Sequence, residues 1–533
     1  MRGRKIRFIA LLTILLLFAG FLLISNSALN GSGYLHFSDA AKYADIAKNL
    51  YRNKVFGLHF SFFGEGIQES IKAPLFYASG IMPLMPISIA ISFALFGILD
   101  LSIIVTSTTF FLILVVATYL LGRKLFGELA GLLGAVTFAA NQNFLEYSAS
   151  GASEPLLALE VVLAAYLFLL RNKLGNILGF LMFVLLYFTR QQAFIYIAGL
   201  LLFWLCLRYP TKKVILYFLG TSGIALLIDL FVLKPLSGHF FLYSILGSGT
   251  NTITQNFPGV SSSETLRGVT QSAGVVIIFK KAFYNLYNFY RLLPQIASPY
   301  MWTLFTLGLF KWGKDKAENS LKISTIFMVA LTFLVTALTI PLFRYLHPIV
   351  PLVYLFATAT LVWVVRQFFK VRMTVVIIST LLIFLFVVGQ TLGVIFLDSR
   401  FKAKTTNKGK PPVYVVLSKV LKENTDVNDV VVTNLDTWGS WYGERRTVWY
   451  PLKPEQLDLK DTQNPFDAIF LTNYLIDDEN YYMGTEWRQI FENPKNPKDE
   501  FIAKNYKFAG EFKVSADETY EKQEGRAILL VRK

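Results

Sequence analysis

The chain has 533 residues, 54% of them hydrophobic and only 16% charged, with a mean hydropathy of +0.49. A soluble enzyme of this length needs far more charge, so the composition excludes that class and points to a polytopic membrane protein. The net charge of +16 is spread through short loops between apolar runs rather than gathered on one surface, which argues against a nucleic-acid partner, and the single cysteine, Cys206, leaves no intramolecular disulfide and no Cys-based metal site.

The N-terminal run "MRGRKIRFIALLTILLLFAGFLLISNSALN" has the basic start of a signal peptide, but its apolar part is long for one and reads as an uncleaved first span over 7–28. Further spans are expected at 101–121, 129–145, 155–170, 175–189, 192–207, 213–233, 296–310, 323–341, 346–365 and 373–397, about 11 in all, or 12 if 74–97 also crosses a ~30 Å hydrocarbon core. The stretch 74–97 carries Pro74, Pro83 and Pro86, each lacking a helix donor. Charge decides its placement. With the N-terminal cluster Arg2, Arg4, Lys5 and Arg7 in the cytoplasm, a non-crossing 74–97 puts the basic loops at Arg123/Lys124, Arg171/Lys173, Arg208/Lys212, Lys311/Lys316 and Arg366/Lys370/Arg372 inside as well. A crossing segment would put them all outside. The segment 74–97 is therefore expected to be re-entrant or interfacial, with the loop 29–73, the loop 234–295 and the tail from about 400 on the outer face.

The first outer loop opens with "HFSDAAKYADIAKNLYRNK" (36–54), an amphipathic helix pattern with Ser38 at the N-cap position and Asp39 in the first turn. The macrodipole favours an ionised carboxylate there by about 0.3–1 kcal/mol, and such a group can accept a proton from an attacking hydroxyl. Polar groups gather at the outer ends of spans. Arg190, in "LLYFTRQQAF", breaks two apolar runs with almost no loop. Either it snorkels or its guanidinium pairs with a phosphate. Arg344, Tyr345 and His347 lie in "PLFRYLHPIVP", bracketed by three prolines, which reads as a shaped span mouth. Lys72 is a further phosphate candidate; Tyr43, Glu154, Tyr345 and His347 are candidates for lining a cavity or receiving an acceptor. Asp39 with Glu69 could hold Mg2+ or Mn2+ through oxygen ligands. Glu160 and Asp229 fall inside spans with no readable partner. No nucleotide-binding loop is present, so no nucleotide cofactor is expected.

The tail changes character. "SRFKAKTTNKGKPP" reads as a linker (401–411), and 412–533 alternates strand and helix patterns with ordinary charge, enough for one small extracytoplasmic α/β domain. In it, "TWGSWYGERRTVWYP" (437–451) packs aromatics beside two arginines: either a sugar- or peptide-stacking surface or a strand pair forming the domain core.

Taken in order, "SDAAKYADIAKNL", "KAPLFYASGIM", "LGRKLFGELAGLLGAVTFA", "SASGASEPLLALEVVLAAYLFL", "FTRQQAF" and "RYLHPIVPLVYLFA" resemble the GT-C superfamily of membrane glycosyltransferases, in its protein O-mannosyltransferase and aminoarabinose transferase branch. The resemblance covers roughly 1–400, the transmembrane module. It implies a GT-C-like polytopic helical fold, a plasma-membrane enzyme with its site on the outer face, and Asp39 as the catalytic carboxylate. It also implies a sugar donor on a polyprenyl monophosphate, with the acceptor (protein, glycolipid or cell-wall polymer) open. The chain departs from the pattern at Ala40, where many relatives have a second acidic residue, and at Ile71 and Ala73 around Lys72, so the resemblance carries over neither a metal nor a second carboxylate. The reaction expected is an inverting transfer with Asp39 as general base. The alternatives are a non-enzymatic lipid-linked sugar flippase or transporter, and a ligase or polymerase taking a pyrophosphate-linked donor.

Overall fold

A computed structural model of the chain describes residues 2–30, 33–63, 71, 73–78, 80–170, 172–208, 212–238, 240–242, 275–313, 315–339, 342–397, 411–458, 465–477, 483–518 and 521–533. The first helix, α1 (Arg2–Asn30), leads directly into α2 (Ser38–Asn53). Short strands β1 (Gly57–Leu58), β2 (Phe60–Phe62) and β3 (Phe76–Tyr77) follow, then the helices α3 (Leu84–Phe96), α4 (Asp100–Phe126), α5 (Glu128–Ala139), α6 (Gln142–Ser150) and α7 (Glu154–Leu169). Next come α8 (Lys173–Thr189), α9 (Ala193–Arg208) and α10 (Lys212–Ile228), the last running through a π turn (Asp229–Leu233) to Ser237. After the undescribed stretch lie α11 (Val275–Ile296), α12 (Pro299–Phe310), α13 (Lys316–Leu338), a 3-10 turn (Phe343–Ile349), α14 (Val350–Phe368) and α15 (Arg372–Ile383, continued to Phe396).

Six described helical segments are long and apolar enough to cross a bilayer, seven if α6 and α7, bent by 118°, make one broken span; α3, α5, α8 and α9 are apolar but shorter. The chain is thus a multi-pass helical membrane protein, while the count of about 11 or 12 spans stays a reading of the sequence. The stretch 74–97 forms no single helix. Its start is strand β3, paired antiparallel with β1, and its 13-residue helix α3 reaches about 20 Å, short of the ~30 Å core.

Close helix approach is bought with glycine where α4 and α5 meet. Gly127 makes the α4–α5 turn at a φ of 88°, a conformation that costs a side chain strain. A Cβ on Gly131 would lie 2.4 Å from the backbone N of Arg123, so a larger residue there forces α5 off α4.

The tail folds as a sheet with helices on it: α16 (Val413–Glu423), β4 (Val430–Thr433), β5 (Arg446–Trp449), β6 (Ala468–Thr472), β7 (Tyr506–Glu518) and β8 (Glu521–Arg532). The sheet order is β2-β5-β4-β6-β8-β7. The parallel strands β4 and β6 are buried along their whole length, as unbroken apolar runs in parallel sheets are. One edge strand, β2, comes from the segment between α2 and α3 and pairs parallel with β5.

The aromatic stretch 437–451 is a short helix (Trp438–Trp441) followed by β5, not a strand pair. Trp438, Trp441, Trp449 and Tyr450 are buried, and the segment joins the tail to the membrane module. Trp441 Nε1 and Tyr442 OH donate to the two oxygens of Asp100 at 2.9 and 2.7 Å. Leu35 N donates to Tyr442 OH at 2.9 Å, and Tyr414 OH donates to Leu35 O at 2.7 Å. Arg446 donates to the carbonyls of Ile71 and Ala73 at 2.7 Å each. Hydrogen bonds to a charged partner contribute on the order of 1.5–3 kcal/mol, so Asp100→Ala is expected to loosen the joint. Hydrogen–deuterium exchange over 437–450 should rise while the strands β4 and β6 stay protected; unchanged exchange would show that Asp100 does not anchor the tail.

Candidate active site

Helix α2 begins one residue earlier than its sequence pattern predicts. Phe37, not Ser38, takes the N-cap position, and no side chain caps the helix. The start is instead held from outside: Thr437 Oγ1, in the tail, donates to Ser38 O at 3.0 Å. Asp39 keeps its place in the first turn. The face expected to be polar is covered too, with Asp45 and Asn49 buried. Asp45 accepts from His59 N at 2.6 Å and lies 2.8 Å from His59 Nδ1; burial raises its pKa, but His59 and Lys48 outweigh that and lower it. His59 O in turn accepts from Thr447 N at 2.7 Å. The Asp45–His59 pair locks α2 to the link between β1 and β2, a role no local spacing announces.

Asp39 meets residues from three other segments. Arg344 Nη1, on the 3-10 turn before α14, donates to Asp39 Oδ2 at 2.7 Å. Arg190 Nη2, in the turn between α8 and α9, approaches the same oxygen at 3.4 Å. Its Nη1 donates to Glu154, at the start of α7, at 2.5 Å, and Arg344 lies 3.9 Å from the same carboxylate. Lys42, one helical turn along α2, sits 3.7 Å from Asp39 Oδ1. The cluster is layered: the side chains of Asp39 and Arg344 are 24% and 28% exposed, whereas Arg190 and Glu154 behind them are 9% and 2% exposed.

Two consequences follow from charge. Three cations face two carboxylates among the described residues, leaving one positive charge to be matched by an anion. Arg344 also keeps its buried Nε without a hydrogen bond among the described residues. Burial pushes the Asp39 carboxyl up, but Arg344, Lys42 and Arg190 outweigh it and hold the group well below the usual carboxylate range. The stabilisation from this lowered pKa is present above the unfolded value of about 3.9 and is lost only as pH falls through the folded value. Asp39 is therefore ionised throughout the neutral range. Removing one cation moves that titration up: Lys42→Gln is expected to raise the pH at which activity falls on the acid side, as a pH–rate profile would show. An unmoved acid limb would detach Lys42 from Asp39.

Around this cluster stand the other residues singled out in the sequence. Tyr43 OH lies 3.2 Å from Ser153 Oγ, beside Glu154. His347 is buried, its Nδ1 2.9 Å from Tyr147 OH; its Nε2 has no hydrogen bond among the described residues. Tyr345 contributes its carbonyl as acceptor for Tyr196 OH. Lys72 and Glu69 lie outside the described residues. Glu160 and Asp229, without a readable partner in the sequence, are both paired: Thr189 Oγ1 donates to Glu160 at 2.8 Å, and Tyr187 OH donates to Asp229 at 2.8 Å. Lys42, Ser153 and Tyr147 are the participants that sequence reasoning missed. Of these only Lys42 carried a signal, its i,i+3 spacing from Asp39.

Of the Asp39–Glu69 pair expected to hold a divalent cation, Glu69 is not among the described residues. No three His, Cys, Asp or Glu side chains gather among them, and the one pair of carboxylates at the site, Asp39 and Glu154, is bridged by guanidinium groups rather than presented as free oxygens.

No family model and no curated protein matches the chain in sequence. Solved structures match it in three dimensions. The oligosaccharyltransferase of Archaeoglobus fulgidus, in complex with Zn and sulfate, superposes with a TM-score of 0.60 at 13% identity, over 96% of this chain and 72% of that one. ArnT from Cupriavidus metallidurans, bound to undecaprenyl phosphate, gives 0.54 at 10% identity, over 99% and 98% of the two chains. The archaeal oligosaccharyltransferase AglB, in complex with an inhibitory peptide and a dolichol-phosphate, gives 0.54 at 13% identity, over 98% and 74%. At this level of identity the likeness is one of fold alone, and the fold is the one shared with these oligosaccharyltransferase and ArnT structures.

Proposed function

We propose that the chain transfers a sugar from a polyprenyl-phosphate donor to an acceptor at the outer face of the membrane, with Asp39 as general base and inversion at the anomeric carbon. The observation that carries this reading is the convergence of Asp39, Arg344, Arg190 and Glu154 from four separate segments on one partly open cluster with a surplus positive charge. ArnT bound to undecaprenyl phosphate and AglB in complex with a dolichol-phosphate share the fold, which supports a lipid-phosphate donor.

In the proposed step the acceptor oxygen attacks the anomeric carbon and the bond from that carbon to the phosphate oxygen breaks. The acceptor proton passes to Asp39, and polyprenyl monophosphate leaves with the bonding pair. Arg344, with its unused Nε donor, and Arg190 neutralise the phosphate. A carboxylate held as low as Asp39 is a poor proton acceptor, and the donor itself supplies the remedy. A phosphate that draws Arg344 to itself removes a cation from Asp39. A unit charge 4 Å away is worth roughly 4 kcal/mol near a protein surface, about a thousandfold in proton affinity. The base is thus strengthened when the leaving group is in place.

The test is transfer by the purified, reconstituted protein from polyprenyl-monophosphate and polyprenyl-pyrophosphate donors of the same sugar. Product from the monophosphate alone, with inverted anomeric configuration, supports the reading. Product only from the pyrophosphate, or passage of the lipid-linked sugar across the membrane with no new glycosidic bond, overturns it.

A further inference from the structure

A second charged site lies at the other end of the bundle. Helix α4 starts at Asp100, where the tail is anchored, and runs for 27 residues to Phe126, about 40 Å away. There a cavity of about 700 Å³ opens between the start of α1, the α4–α5 turn and the α14–α15 turn. Arg7, Arg366, Lys370 and Arg372 line it against one carboxylate, Glu128, which lies 3.4 Å from Arg7. The rest of the wall is apolar, including Leu11, Leu129, Leu132 and Val376. Cations together with an apolar wall describe a receptor for an anionic amphiphile, not for a free polar solute.

The backbone adds to the charge. The first turns of α5 and α15, each of 12 residues, contribute lining residues. Neither N-cap, Gly127 nor Val371, supplies a side-chain hydrogen bond, so both helices present the positive ends of their dipoles with first-turn donors to spare. Helix α15 also begins with Arg372 and has no acidic residue in its first turn, which places a cation against a dipole that disfavours it. A bound anion removes that conflict.

We propose that this cavity seats the phosphate headgroup of an anionic glycerophospholipid, its acyl chains lying along the apolar wall. The site is separate from the Asp39 cluster and does not depend on the sugar-transfer reading. Basic pockets between membrane helices recognise such headgroups at about fivefold in affinity per cation.

The test uses the full chain in detergent, with fluorescent phosphatidylglycerol and phosphatidylcholine as probes and inorganic phosphate as competitor. Phosphatidylglycerol is expected to bind more tightly than phosphatidylcholine by well over tenfold. Arg366→Gln and Arg372→Gln are each expected to weaken it about fivefold, with the thermal midpoint of the lipid-free protein unchanged. Asp39→Asn should leave this binding intact. Equal retention of the two lipids, or insensitivity to both arginine variants, would overturn the assignment. Displacement of the lipid by inorganic phosphate at low millimolar concentration would overturn the lipid part of it, showing a site for soluble phosphate.

Discussion

Asp39→Asn is expected to lower sugar transfer by about two to four orders of magnitude while the protein still folds. Asparagine keeps the shape of the side chain and one acceptor oxygen for Arg344, but cannot take the acceptor proton. The side chain is 24% exposed, and Arg190 keeps Glu154 as its partner, so the loss of one charge at the mouth of the site should lower the thermal midpoint less than a change at Glu154 does and leave the protein folded. The measurement is initial rate with a polyprenyl-phosphate sugar beside a melting curve in the same detergent. Full activity in the variant removes Asp39 as the base. A collapsed melting curve would give it a structural role instead, and Asp39→Glu then separates the two, since it restores a base even where the geometry is imperfect.

The largest effect on stability is expected at Glu154. Its carboxylate is 2% exposed and accepts from Arg190, itself 9% exposed. Removing one partner of a buried pair leaves an uncompensated buried charge and typically costs about 3–5 kcal/mol. In Glu154→Ala, Arg190 retains only the longer approach to Asp39 among the charged partners described. The thermal midpoint should fall sharply. Glu154→Gln, which keeps an acceptor oxygen, should fall less, and the double variant Glu154→Gln/Arg190→Gln should recover part of the loss because no lone charge remains. An Ala variant as stable as the parent would show that water or lipid headgroups reach Arg190, and the layered reading of the site would fail. The two predictions differ in kind. At Asp39 chemistry is lost and the fold kept, because the group is at the exposed front; at Glu154 the fold suffers first, because the group is at the dry back.

The sequence already held most of the members of this cluster. Asp39 stood out because a carboxylate opened an amphipathic helix straight after a span, and the family resemblance pointed to the same residue. Arg190 interrupted two apolar runs, and the prolines around Arg344 marked a span mouth. Each of these is a local signal, set by what a charge does to an otherwise apolar stretch. Lys42 was visible too, one turn from Asp39, but looked like one more solvated lysine. The pairings were not legible. The partner of Arg190 lies 36 residues away, and that of Arg344 lies 305 residues away. Nothing in the spacing of either residue names its partner. Asp45 looked like part of a solvated face because an amphipathic pattern shows that two faces differ, not that the polar one meets water. Here it meets His59, in the link between β1 and β2. The tryptophan-rich stretch misled for a related reason: aromatics beside arginines fit a sugar surface and a domain joint equally well, and only Asp100, more than 300 residues upstream, distinguishes them.

By itself the sequence determined that this chain lives in a membrane, where most of its apolar helices run, and which polar groups those helices carry at their ends. These are matters of transfer free energy summed over a few adjacent residues. The sequence missed α11 (Val275–Ile296), which lies in the stretch 234–295 read as a loop, and the break of 129–145 after Ala139. The tertiary structure alone decided which of those ends share a site, that strand β2, between α2 and α3, completes the tail's sheet, and that Glu160 and Asp229 are paired within the bundle. Those outcomes depend on how helices of nearly equal hydropathy pack side by side, and lipid-facing runs that are apolar all round do not announce their neighbours.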